Sequence, residues 1–161
     1  DVDLINLVIN FVFSHIKARW LVDDEDLHEV KVCLYEALSN AFEHGNLEIA
    51  GSEKVKLLEQ SQQAWREFLT ARMREEPFCN RQITVKLEIS GEEMVVSIED
   101  QGPGFNHSAR TSDVNPEALF KSSGRGLILI QSLMDDVAFN ESGNLITMRK
   151  SRILPASPLE A

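Results

Sequence analysis

The chain has 161 residues, 43% hydrophobic and 26% charged, the proportions of one globular domain able to bury a core. Sixteen basic residues against 26 acidic ones give a net charge of −10, the wrong sign for a phosphate-backbone partner, so direct nucleic-acid binding is not expected. No apolar run is long enough to span a bilayer, no signal-peptide pattern opens the chain, and two cysteines, Cys33 and Cys79, make no disulfide or metal framework; the expectation is a cytoplasmic protein with no membrane partner.

Residues 4–20 are strongly apolar. Leu4, Leu7, Val8, Phe11, Val12 and His15 recur at helical spacing, which predicts a well-buried helix with His15 and Trp20 in its packing or at its end. Asp23 or Asp24 then caps a second helix, whose acidic first turn suits the helix dipole. Along it Val30, Cys33, Leu34, Ala37, Leu38 and Ala41 form an arc wide enough to face a core, with Cys33 as a small buried hydrophobe. Glu36, Asn40 and His44 stand four residues apart, so an unbroken helix lines them up at the seam of that arc. Gly45 is the predicted stop. His28-Glu29, two turns upstream on the same helix, is expected on the surface.

Between residues 47 and 80, Val55, Leu58, Gln62, Trp65, Leu69 and Met73 alternate three and four apart, predicting one further helix that Glu75-Glu76-Pro77 ends. Its apolar stripe reads as an extra packing layer before a partner surface. Two strands follow, Gln82 to Ile89 and Met94 to Glu99, turning at Ser90-Gly91-Glu92; Ile83, Val85, Leu87, Ile89, Met94, Val96 and Ile98 point inward. After Asp100-Gln101-Gly102-Pro103-Gly104-Phe105 comes a polar loop to Ser123, with a short turn at Pro116 to Phe120. Gly124-Arg125-Gly126 opens a helix from Leu127 to Met134. A hairpin, Val137 to Asn140 and Leu145 to Lys150, turns at Glu141 to Asn144, and the tail 153–161 is predicted to be loose.

Three of these elements carry chemistry if the ligand is ATP. Asp100, at a strand end, can accept a hydrogen bond from an exocyclic amine, which adenine has and guanine lacks at that position. Gly102 and Gly104 let backbone approach the base. Gly124 to Gly126 offer amides at a helix N-terminus as a phosphate cradle, with charge from Arg125 and Lys121. Asn40 offers a neutral oxygen to Mg²⁺, which keeps most of its waters and needs few protein ligands. Glu36, one turn away, can take a proton from an attacking hydroxyl. Singly, each has an ordinary reading: a solvated helix stripe, a common Asp-Gly turn, a flexible turn before a helix.

Together they match a family. EALSNAFEHGN, EDQGPGF and SSGRGLILIQSLMDD, in this order, resemble the three boxes of the Bergerat-fold ATP-binding domains of gyrase, heat-shock chaperones, histidine kinases and mismatch-repair proteins. The phrase ending in SLMDD is most similar to the bacterial anti-sigma-factor serine kinases. The resemblance spans nearly the whole chain. It implies an α/β sandwich with helices on one face of a mixed, mostly antiparallel sheet, over residues 1–152 with a helical insertion at about 48–80. It further implies Glu36 as general base, Asn40 as Mg²⁺ ligand, and Asp100 on the adenine amine, with Gly102 and Gly104 lining the pocket. Gly124 and Gly126 would close over the phosphates, with Lys121, Arg125 and Leu127 among the nucleotide contacts. Ser122 stands where kinase relatives often carry an Arg, a role Arg125 or Lys121 would have to take. Relatives phosphorylate a serine on a small antagonist (anti-anti-sigma) protein and bind a sigma factor, and they often form homodimers. The insertion, and a first residue that is not Met, fit a domain embedded in a larger regulatory protein, for example behind a receiver domain. A nucleotide-dependent binding module without transfer, or the catalytic domain of a histidine kinase, are the alternatives.

Overall fold

A computed structural model describes residues 2–19, 24–105 and 125–152. Trp20, Asp23, the turn at 116–120, Lys121, Ser122, Gly124 and the tail lie outside the described residues. The first helix, α1 (Val2–Arg19), precedes α2 (Asp24–Asn40), which runs on into a wide i→i+5 turn over Ala41–Asn46. Helices α3 (Gly51–Gln60) and α4 (Gln62–Arg72) and a short 3₁₀ turn (Phe78–Asn80) lead to strands β1 (Thr84–Ile89) and β2 (Glu93–Glu99). The last elements are α5 (Arg125–Leu133), β3 (Asp136–Phe139) and β4 (Leu145–Ser151).

The described strands form one sheet in the order β1-β2-β4-β3, antiparallel at every pairing. Period-two alternation puts Met94, Val96 and Ile98 of β2 beside Ile146 and Met148 of β4 on one face. Helices α1, α2 and α5 cover that face with Ile9, Val12, Ile16, Val30, Leu34, Ala37 and Ile130, giving one core and a two-layer α/β sandwich. Side chains as fully buried as Ile16, Leu34, Ile98 and Met148 each stabilise the fold by about 1.5–3 kcal/mol. Cys33 sits in this core as expected, and burial pushes its thiol up to about 11. Lys150, on the inward face of β4, escapes the core by donating to Glu29 (2.7 Å) and to the Leu133 carbonyl (2.8 Å), with Asp26 at 3.3 Å. Burial works against its charge, but these carboxylates more than offset it and hold the ammonium above the ordinary lysine value.

Four expectations are corrected. Helix α1 is apolar nearly all round, and only one stripe can face the sheet. Ile5, Ile9, Val12 and Ile16 take the core, while Leu4, Leu7 and Phe11 stay 59–66% exposed. His15 is exposed too, donating to the Phe11 carbonyl at 2.8 Å and lying against the Phe11 ring. The single helix expected through Val55–Met73 is two. It breaks at Ser61, whose Oγ accepts from Ala64 N–H (3.0 Å) and caps α4. Trp65 and Leu69 then pack on Leu47 and Ile49 as a second, smaller core, bridged to the first by Phe42. Of His28-Glu29, His28 is exposed but Glu29 is half-buried on Lys150. Gly45 does not end a helix. It lies inside the wide turn, where its missing Cβ makes room for the Asp100 carboxyl. Among the described residues no helix is long and apolar enough to cross a membrane.

Candidate functional site

Glu36 and Asn40 remain in regular α-helix, one turn apart on the rim of α2. Helix α5 meets them with Gly126: a Cβ there would overlap the Glu36 Oε2 and lie 3.4 Å from the Asn40 amide nitrogen. A glycine in the first turn of α5 therefore allows that helix to close on the two polar side chains. Past Asn40 the backbone widens, and Leu47 N–H bonds to the Phe42 carbonyl at 3.0 Å. Such insertions of an extra residue into a helix recur at functional sites because they re-aim side chains. His44 falls inside this widened turn and lines the same space as Asn40. Its Nδ1 donates to the Ile49 carbonyl at 2.6 Å.

Strand β2 delivers Asp100 to the base of this turn. Asp100 is 9% exposed. Its Oδ1 accepts from Gly102 N–H at 2.8 Å, and its backbone is clamped on both sides by Asn144. Asp100 N–H donates to the Asn144 carbonyl (2.9 Å), and the Asn144 amide donates to the Asp100 carbonyl (2.8 Å). Burial pushes the Asp100 carboxyl above its ordinary value, opposed by the Gly102 N–H and by the charge of Arg81. Two further glycines are required by close approach. Gly102 has no room for a Cβ because of the Gly45 carbonyl, and Gly104, at φ +73°, none because of the Ser142 carbonyl. Phe105 closes this end, edge-on to Phe139 at 5.4 Å between centroids.

The result is a cavity of about 380 Å³ whose wall includes Asn40, Gly45, Asp100, Gly104, Gly126 and Leu127. A neighbouring hollow of about 730 Å³ shares Asn40 and Gly126 and adds Glu36 and Arg125. A helix rim, a strand end and a second glycine segment, far apart in the chain, thus share one space. The description "histidine kinase-like ATPase domain" matches residues 2–150.

The chain belongs to that family.

The ATPase domain is also 27% identical over 156 residues to the serine-protein kinase RsbW of Staphylococcus aureus strains JH9, Newman and USA300. Those alignments cover 92% of this chain and 78% of each relative. Of the residues singled out in the sequence, Asn40, Asp100, Gly104, Gly126 and Leu127 line the cavity, Glu36 and Arg125 line the hollow beside it, and Gly102 lies behind Asp100. Lys121 and Gly124 lie outside the described residues. Sequence reasoning missed Asn46 and Asn144. Asn46 is 5% exposed, and its Oδ1 accepts from Gln101 N–H at 2.8 Å. Asn144 is one of a pair with Asn140, whose Oδ1 gathers the N–H groups of Gly143, Asn144 and Leu145. A signal was present for the second: an Asn four residues before another around Gly143 is turn chemistry.

Proposed function

We propose that this domain binds Mg-ATP and transfers its γ-phosphoryl group to a serine or threonine of a small antagonist protein, as an anti-sigma-factor type kinase with a sigma factor as second partner. The observation that carries the reading is the single cavity walled jointly by Asp100, Asn40 and Gly126. The kinase part is supported by the likeness to the staphylococcal serine-protein kinases.

The residues fit the cofactor. Asp100 presents a buried carboxylate to the cavity, Gly104 and Gly126 leave bare backbone on its wall, and Asn40 supplies the neutral oxygen that Mg²⁺ accepts alongside phosphate and water. When bound, Mg-ATP supplies the transferable group and the neutralisation of its charge. In this reading Asp100 accepts from the adenine amine, which sets purine choice. Asn40 holds the metal. The first amides of α5, at Arg125 and Gly126, face the phosphates with the Arg125 charge, and the resemblance assigns Lys121 and Gly124 to the same contacts. Leu127 packs on the nucleotide. Glu36, half-buried beside Gly126, accepts the proton of the incoming hydroxyl.

The test is transfer from labelled ATP to candidate antagonist proteins by the wild type and Glu36→Gln. The expected outcome is a loss of transfer by about 10²–10⁴-fold with ATP affinity retained. Transfer surviving in Glu36→Gln removes Glu36 as the base; ATP binding without transfer by the wild type to any antagonist favours a nucleotide-dependent binding module.

A further inference from the structure

The inserted segment reaches back into the nucleotide cavity. Ala50 and Gly51, at its start, form part of the cavity wall. Just before them the chain reverses at Glu48, which has φ +51°, a left-handed conformation that a glutamate seldom adopts. Arg81, at the far end of the insertion, is placed to hold that reversal. Its Nη2 pairs with Glu48 Oε1 at 2.6 Å, its Nη1 donates to the Asn46 carbonyl at 2.8 Å, and its guanidinium lies 5.2 Å from the centroid of the Phe78 ring.

These contacts close a ring. Arg81 bonds the Asn46 backbone, and the Asn46 side chain accepts from Gln101 N–H at 2.8 Å. The Gln101 side chain accepts from Gln82 N–H at 2.9 Å, and Gln82 is bonded to Arg81 along the chain. One member of this ring, Gln101, directly follows Asp100. The Arg81–Asn46 and Asn46–Gln101 bonds are part-buried, while the Glu48 and Gln82 links lie at the surface.

We propose that Arg81 and Asn46 are positioning residues for base selection: through Gln101 they fix the depth at which Asp100 meets the 6-position of a purine. The inference rests on the adenine role assigned to Asp100 above. Arg81 and Asn46 do not touch the base. They act through Asp100, so they should change the choice between purines more than the hold on the phosphates.

The experiment measures dissociation constants for ATP and for ITP, which carries an oxo group in place of the 6-amino group. The proteins are the wild type, Arg81→Ala, Asn46→Ala and Asp100→Asn, each checked for folding by circular dichroism. The wild type is expected to prefer ATP. Arg81→Ala and Asn46→Ala should each cut that preference by about fivefold or more, through weaker ATP binding with ITP binding little changed. Arg81→Lys, which keeps the charge but cannot bridge both oxygens at once, takes the place of Arg81→Ala if the latter does not fold, with the same direction expected. Equal weakening of ATP and ITP, or an unchanged preference, overturns the positioning role. A preference lost in Asp100→Asn but intact in Arg81→Ala and Asn46→Ala overturns it while leaving the adenine assignment standing. A preference that survives Asp100→Asn overturns both.

Discussion

At the Asp100 end of the cavity, backbone packs directly on backbone. Gly104 and Gly143 sit at φ +73° and +76°, and a Cβ on either would overlap a carbonyl oxygen of the facing loop, that of Ser142 or of Phe105. At the Glu36 end, the close approach is between Gly126 and the tip of a flexible carboxylate. A backbone obstacle cannot move without the strand it belongs to, whereas a side-chain tip swings aside by changing rotamer. The Asp100 end is therefore part of the fold, and the Glu36 end carries the proposed chemistry mounted on it. The same substitution, glycine to alanine, should break the molecule in one place and only its activity in the other.

Gly104→Ala carries the largest expected effect. A left-handed alanine costs about 1–2 kcal/mol, and displacing the Ser142 backbone adds about 1–3 kcal/mol. A total near 3 kcal/mol corresponds to a Tm lower by about 6–12 °C in a chain of this size. Thermal denaturation followed by circular dichroism measures it, and nucleotide binding should fall with it. A variant that melts with the wild type would show that the 102–105 loop is free of the 140–144 turn.

Gly126→Ala sharpens the contrast. Alanine is worth up to about 1 kcal/mol over glycine inside a helix, so α5 gains what the crowding at Glu36 takes away, and Tm should change by less than about 3 °C. The carboxylate, however, must leave its place. Transfer to an antagonist protein is expected to fall about tenfold or more, because a proton acceptor displaced by about 1 Å loses its alignment. Single-turnover transfer beside a melting curve separates the two quantities. If Gly126→Ala unfolds the protein as far as Gly104→Ala does, the two ends are not built differently.

The sequence made the same division visible, and for physical reasons. Elements that rest on period are where alternation put them: the two hairpins, the buried arc of α2 and the glycine-opened helix α5. Period fails where several outcomes share one pattern. In α1, Leu4-Leu7-Phe11 and Ile5-Ile9-Val12-Ile16 are both regular apolar stripes, and only the position of the sheet decides between them. Apolar spacing runs straight through Ser61, so the break there was hidden although serine is a preferred cap. The wide turn at 41–46 leaves no trace in spacing, since one extra backbone residue changes no side-chain identity. Within the site, residue types suited to touching a ligand could be picked out by chemistry. Asn46 and Arg81 could not, because their bonds run 35–55 residues away through backbone atoms that no sequence pattern marks; for Asn144 the pattern marked the turn but not its bond to Asp100, 44 residues away.

The smallest effect tests whether the Asp100 end was shaped for binding rather than for stability. Burial raises the Asp100 carboxyl above its ordinary value of 3.8. The folded state then holds this proton more tightly than the unfolded chain does, so the group contributes most favourably below 3.8. That contribution is lost as pH rises through the interval up to the raised value, and at neutral pH the ionised Asp100 burdens the fold. Asp100→Asn removes the charge and keeps an oxygen to accept from Gly102 N–H, so the nucleotide-free variant should be more stable at pH 7. A gain of about 1 kcal/mol, or about 2–4 °C in Tm, is the scale of such site-relieving changes. The gap to the wild type should narrow as pH is lowered from 7 toward 4, while the preference for adenine is lost at every pH. A wild type that is the more stable of the two at neutral pH would mean that the ionised carboxylate holds the Gly45 turn in place, and that the Asp100 end owes its form to folding alone.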